Sequence, residues 1–123
     1  MQIKRYESTG RLSKVVVANG IAFLAGLTAK DRSAGVRQQT ADVLAQIDTY
    51  LGLAGTEKSK LLKVNIWLRD LSDFDEMNLA WDAWIDPAQA PARATVQSSL
   101  AGGILVEIMA EALVVDCTAN SSL

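Results

Sequence analysis

Asn19-Gly20 sits between two short apolar runs, residues 14–18 and 21–25, and constrains the fold more tightly than any other pair in the chain. Both residues tolerate the positive φ of a type I′ turn, whose twist suits two antiparallel strands. A β-hairpin is therefore expected here. Residues 1–6 alternate polar and apolar side chains and predict an edge strand beside it. Residues 35–54 carry Val36, Thr40, Val43, Leu44, Ile47, Tyr50, Leu51 and Ala54 at three- and four-residue spacing, which predicts a helix. Asp31 or Ser33 is placed to cap its start and Gly55 its end. Residues 61–68 read as a strand, with Leu62, Val64, Ile66 and Leu68 on one face and Lys63, Asn65 and Trp67 on the other. Ser72-Asp73-Phe74-Asp75 resembles a capping box that opens a second helix running to about Ile85, where Pro87 stops it. The inner stripe of that helix is Phe74, Met77, Asn78, Trp81, Trp84 and Ile85. Residues 93–98 and 105–115 predict two further strands, joined by a turn at Gly102-Gly103.

Two helices of this length cover one face of a five- or six-stranded mixed sheet, so the fold class is two-layer α+β. The chain has 123 residues, half of them hydrophobic, which suits one domain spanning residues 1–123 with a tail over 118–123. The second sheet face would carry Lys63, Asn65 and Trp67, with Glu107, Met109 and Glu111 or their neighbours. It would also carry Arg93, Thr95 and Gln97 or their neighbours. Such a face is too apolar to leave bare and too polar for a dry core. Burial against another copy of the chain is the natural solution.

Composition narrows the chemistry. The chain has no histidine, so it holds no Ser-His-Asp or Cys-His site and no imidazole metal ligand. Its one cysteine, Cys117, forms no intrachain disulfide, and a reducing, cytoplasmic setting is expected. The net charge is −2, and the densest basic spot is Lys58 and Lys60 flanking Ser59, so a nucleic-acid partner is not expected. No apolar stretch reaches the roughly 18 residues of a membrane span.

Carboxylates, arginine, hydroxyls and backbone groups are left to do any chemistry. Arg93, two residues after Pro91, offers a planar fork for a carboxylate or phosphate; an interstrand or interface ion pair is the commoner outcome for such a residue. Glu107 lies in an otherwise apolar strand and needs a cation, hydrogen bonds or water. It suits a general base, or a structural partner for Arg93 or Lys63. Asn78 reads as a structural amide tying a loop backbone, and the three tryptophans as core or interface.

The run Pro91-Ala92-Arg93-Ala94-Thr95-Val96, followed by Leu105-Val106-Glu107-Ile108, resembles the C-terminal signature of the RidA/YjgF family of reactive intermediate deaminases, once called L-PSP endoribonucleases. Asp73-Phe74, Met77-Asn78 and Trp81 resemble the family's second helix, and Asn19-Gly20 with Ala25-Gly26 its second hairpin strand. The stretch from Asn78 to Trp84 looks closer to the YoaB-like branch than to the archetypal deaminase. The resemblance covers about residues 8 to 116. It implies a chorismate-mutase-like fold assembled as a homotrimer, with clefts between subunits and no cofactor. It further implies that Arg93 holds a substrate carboxylate and that Glu107 positions the attacking water. Matching the family's loop and strand motifs places Leu12, Ser13, Leu27 and Thr95 at the substrate. Here the sequence departs from the pattern. Gly10-Arg11-Leu12-Ser13 replaces a Gly-Pro-Tyr loop, Ala25-Gly26-Leu27 replaces Ser-Gly-Gln, and Thr95 replaces a frequent cysteine.

Three functions compete at this point. One is hydrolysis of a small 2-imino acid or related enamine. Another is a trimer that binds small carboxylate-bearing metabolites without turnover. The last is RNA cleavage, against which the acidic balance and the missing histidine count.

Overall fold

The computed structural model describes residues 2–114. Cys117, the expected tail over 118–123 and the far end of the last predicted strand lie outside them. Seven strands and two α-helices follow one another as β1 (Ile3–Ser8), β2 (Ser13–Ala18), β3 (Ile21–Leu24), β4 (Leu27–Thr28), α1 (Val36–Leu53), β5 (Leu61–Leu68), α2 (Phe74–Trp84), β6 (Ala92–Gln97) and β7 (Val106–Leu113). The six full strands form one mixed sheet in the order β1-β2-β3-β7-β5-β6, and the two-residue β4 pairs with β7. β5 and β6 are parallel, joined through α2; the other pairs are antiparallel.

The β2–β3 hairpin turns at Asn19 and Gly20, with φ of 53° and 77°, the two positive values that a type I′ turn demands. α1 lays Val36, Val43, Leu44, Ile47 and Leu51 onto the sheet. Each such side chain contributes about 1.5–3 kcal/mol when fully buried. Val15, Leu24, Leu27, Val64, Ile66, Leu68, Val106 and Ile108 meet them from the strands.

The helix ends differ from the sequence expectation. The N-cap of α1 is Gly35, which has no side chain to offer; Asp31 instead closes a local turn onto Ser33. Gly55 follows the C-cap Ala54 with a φ of 81°, as a terminating glycine should. At α2 the capping box does not form, because Asp70 accepts from the Ser72 amide and starts a short 3-10 turn first. Leu62 was expected inside and is 44% exposed, with Leu61 buried in its place. A register irregularity between Leu61 and Lys63 shifts the alternation at the start of β5.

β6 and β7 do not pair. They flank β5 on either side, so residues 98–105 cross over its end. Gln39, fully buried near the start of α1, anchors that crossing. Its amide nitrogen donates to the Ala34 and Gly103 carbonyls, and its oxygen accepts from the Leu105 amide.

Candidate functional site

The register of the parallel pair decides where β6 points its side chains. Arg93 lies across from Val64, Thr95 from Ile66 and Gln97 from Leu68, all three on the helix-covered face. Their neighbours Ala92, Ala94 and Val96 join Lys63, Asn65 and Trp67 on the open face. Arg93 thus reaches up from the edge strand to α2. Its guanidinium stands 5.0 Å from the Trp81 ring centre and 5.8 Å from that of Phe74. One guanidinium nitrogen donates to Asn78 Oδ1 at 2.8 Å. Phe74, Asn78 and Trp81 recur at helical spacing, so one face of α2 presents ring, amide and ring to one cation.

Asn78 therefore holds a side chain, not the loop backbone that the sequence suggested. No interstrand ion pair within the chain holds Arg93: its one hydrogen bond among the described residues goes to a neutral amide. Burial lowers the pKa of the guanidinium from its ordinary value, and the charge of Asp82 opposes that shift. An arginine so placed remains a cation at neutral pH. Two residues on, Thr95 Oγ1 is buried without a hydrogen-bond partner among the described residues. An unpartnered hydroxyl beside a preorganised cation is a receptive place for an anionic ligand.

Glu107 lies elsewhere. On β7 it is opposite Trp67 on one side and Thr28 on the other, on the open face. Val64 and Trp67 are three apart on β5 and point to opposite faces, so Arg93 and Glu107 point to opposite faces of one sheet. The Glu107 carboxylate comes down onto Gly26. A methyl built on that glycine would meet Glu107 Cδ at 3.2 Å and Cγ at 3.4 Å, with Oε2 closer still. Gly26 lies where β3 gives way to β4 and the pairing with β7 slips by one residue, the pattern of a bulge.

The remaining predicted residues divide between these groups. Ser13 opens β2, bonded through its hydroxyl to Ser8, and the next residue, Lys14, accepts at its carbonyl from the Ala25 amide. This end of β2, with the exposed Leu12 before it, borders the bulge that carries Gly26. Leu27 is a correction: its side chain is 1% exposed and packs in the core, because the slip at the bulge turns it inward and leaves Thr28 beside Glu107. The chain thus presents two separate groups, Arg93 with Thr95 and Asn78 at one edge, and Glu107 with Gly26 on the open face.

The tryptophans have three roles. Trp81 is core and supports Arg93. Trp84 ties the helices together through its indole N–H to Asp48, and Lys58 lies over its ring. Trp67 faces the open side. A groove of about 810 Å³ between α1 and α2 is lined by Val36, Leu44, Leu79 and Trp84 and includes neither Arg93 nor Glu107. Among the described residues, no three of His, Cys, Asp and Glu cluster as metal ligands. None of the described helices is long and apolar enough to cross a membrane.

The family profile described as Endoribonuclease L-PSP matches residues 2–114. This chain is a member of the RidA/YjgF family. The RutC family protein YoaB of Escherichia coli is 42% identical over 100 residues, covering 81% of this chain and 87% of that one. The Reactive Intermediate Deaminase A of Arabidopsis thaliana, chloroplastic, is 35% identical over 94 residues, covering 72% of this chain and 50% of that protein. Among solved structures, a YjgF family member from Neisseria meningitidis superposes with a TM-score of 0.91 at 42% identity, over 95% of this chain and 98% of that one. The two helices on one mixed sheet are thus the YjgF-type, chorismate-mutase-like α+β fold, and the YoaB match supports the YoaB-like branch.

Proposed function

We propose that this RidA/YjgF member is an enamine/imine deaminase. It hydrolyses a small 2-imino acid, or a related enamine, to a 2-oxo acid and ammonia at clefts between the subunits of a homotrimer. The observation that carries this reading is the Arg93 guanidinium, fixed between two rings with only a neutral amide as hydrogen-bond partner among the described residues. A cation so preorganised suits a planar carboxylate, which it binds through two parallel charge-assisted hydrogen bonds. The Thr95 hydroxyl lies on the same face for a further contact.

Glu107 supplies the base. It takes a proton from water as the water oxygen bonds to the C=N carbon. It passes that proton to the nitrogen, giving a carbinolamine. The carbinolamine hydroxyl then gives up its proton, by way of the same carboxylate, to the nitrogen as the C–N bond breaks and the C=O bond forms, so ammonia leaves and the 2-oxo acid remains. The imine is already electrophilic, so positioning and one base suffice without a cofactor. Arg93 and Glu107 point to opposite faces of one sheet, so a cleft holding both takes Arg93 from one subunit and Glu107 from the next. The open face supports such an assembly. It exposes Phe23, Val96, Met109 and Leu113, with Val96 50% exposed, and so presents more apolar surface than a solitary domain favours. The single cysteine fits a cytoplasmic setting.

The test is to generate 2-imino acids in situ from a panel of L-amino acids with an amino-acid oxidase and to follow imine loss. The wild type should accelerate it, and Arg93→Ala should lower kcat/KM about 10- to 100-fold, the worth of a lost charge-assisted pair. Equal rates with and without protein across the panel would overturn the reading.

A further inference from the structure

Gly26 is a glycine whose reason is not its backbone angle. The positive-φ glycines among the described residues are Gly10, Gly20, Gly55 and Gly103, and Gly26 is not one of them. Any L-residue fits the backbone there. What a side chain would not fit is the space, which the Glu107 carboxylate occupies.

We infer that Gly26 is a positioning residue: its missing Cβ is the seat that sets where the Glu107 carboxylate sits. Three features converge on this. The slip between β3 and β4 brings the backbone at residues 25–26 out of regular register, directly beside β7. Bulges of this kind re-aim side chains next to functional sites, and a glycine in one marks a close approach. The group that approaches is a carboxylate at the flexible end of a long side chain, not backbone. A methyl on Gly26 therefore leaves the fold intact and moves Glu107. By contrast Gly52, on the outer face of α1, has nothing within 4 Å of a built Cβ and serves as the control.

The catalytic consequence rests on Glu107 acting as the base proposed above, so the experiment separates the two. Gly26→Ala, Gly52→Ala, Glu107→Gln and the double variant Gly26→Ala/Glu107→Gln are prepared with ¹³C-labelled glutamate. The Glu107 side-chain carboxyl resonance is assigned by its loss in Glu107→Gln. In Gly26→Ala this resonance should move, while in Gly52→Ala it should stay. Melting temperature should change little in either. An unmoved Glu107 resonance in Gly26→Ala overturns the inference whatever the activity.

With the imine that the wild type hydrolyses fastest, Gly26→Ala should lower kcat about 10- to 100-fold with KM nearly unchanged, since displacing a reacting group by an ångström costs that much. In the Glu107→Gln background the same change should have no further effect, because it acts through the carboxylate. Multiplicative losses would overturn the inference. Wild-type activity in Glu107→Gln would instead overturn the role of Glu107, with the resonance still deciding the role of Gly26.

Discussion

Thr95 shows a tension within one side chain. Its hydroxyl is buried without a hydrogen-bond partner among the described residues, and a buried polar group left unpaired costs about 1–3 kcal/mol. Thr95→Val keeps the shape and removes the hydroxyl. Thermal denaturation should show the variant equal to the wild type or more stable, by about 1 kcal/mol. Steady-state kinetics should show KM for the imine rising severalfold. A variant that is less stable and binds as well would mean that the hydroxyl serves the fold. The sequence singled out Arg93 and Glu107 as candidates for chemistry, because few other types were left to carry it. It did not make their faces legible. Residues 92–97 alternate Ala-Arg-Ala-Thr-Val-Gln, so neither face is plainly apolar and the alternation alone does not say which one looks inward.

The elements themselves were largely legible. The β2–β3 hairpin, both helices and β5 follow from turn chemistry and periodicity, with ends shifted by a residue or two. What escaped were departures from periodicity: the irregularity that exchanges Leu61 for Leu62, and the bulge at Ala25-Gly26 that turns Leu27 inward. Each adds one residue to a strand, and a period-two pattern has no way to announce it. The buried Gln39 also escaped, because a glutamine beside Thr40 reads as the polar flank of a stripe. Its three hydrogen bonds join the start of α1 to the segment between β6 and β7. Gln39→Leu would leave two carbonyls and one amide unpaired. We expect a loss of about 2–3 kcal/mol on chemical denaturation, far beyond a neutral surface change.

On the scale of the whole molecule, the split between the two faces of the sheet predicts complementation. Arg93→Ala and Glu107→Gln subunits should each be strongly impaired in their own assemblies. Unfolded together in equal amounts and refolded, they should regain about one quarter of wild-type activity, because half of all Arg93 donors and half of all Glu107 donors remain intact and combine independently. Sites built within one chain would regain none.

The strand order also bears on how the chain is made. β7 is the last of the seven strands to leave the ribosome, yet it is placed between β3 and β5. Until residues 106–113 emerge, the hairpin layer and the β5–α2–β6 unit have no shared strand, and each exposes a raw sheet edge. Most of the long-range pairing is therefore deferred until β7 is made, and until then the nascent protein depends on its surroundings to stay apart from its neighbours. A chain stopped at Leu105 should be cut by protease throughout its length, whereas one that continues through Val114 should resist. Protection confined to residues 3–24 in the shorter chain would show that the hairpin layer folds before its central strand arrives.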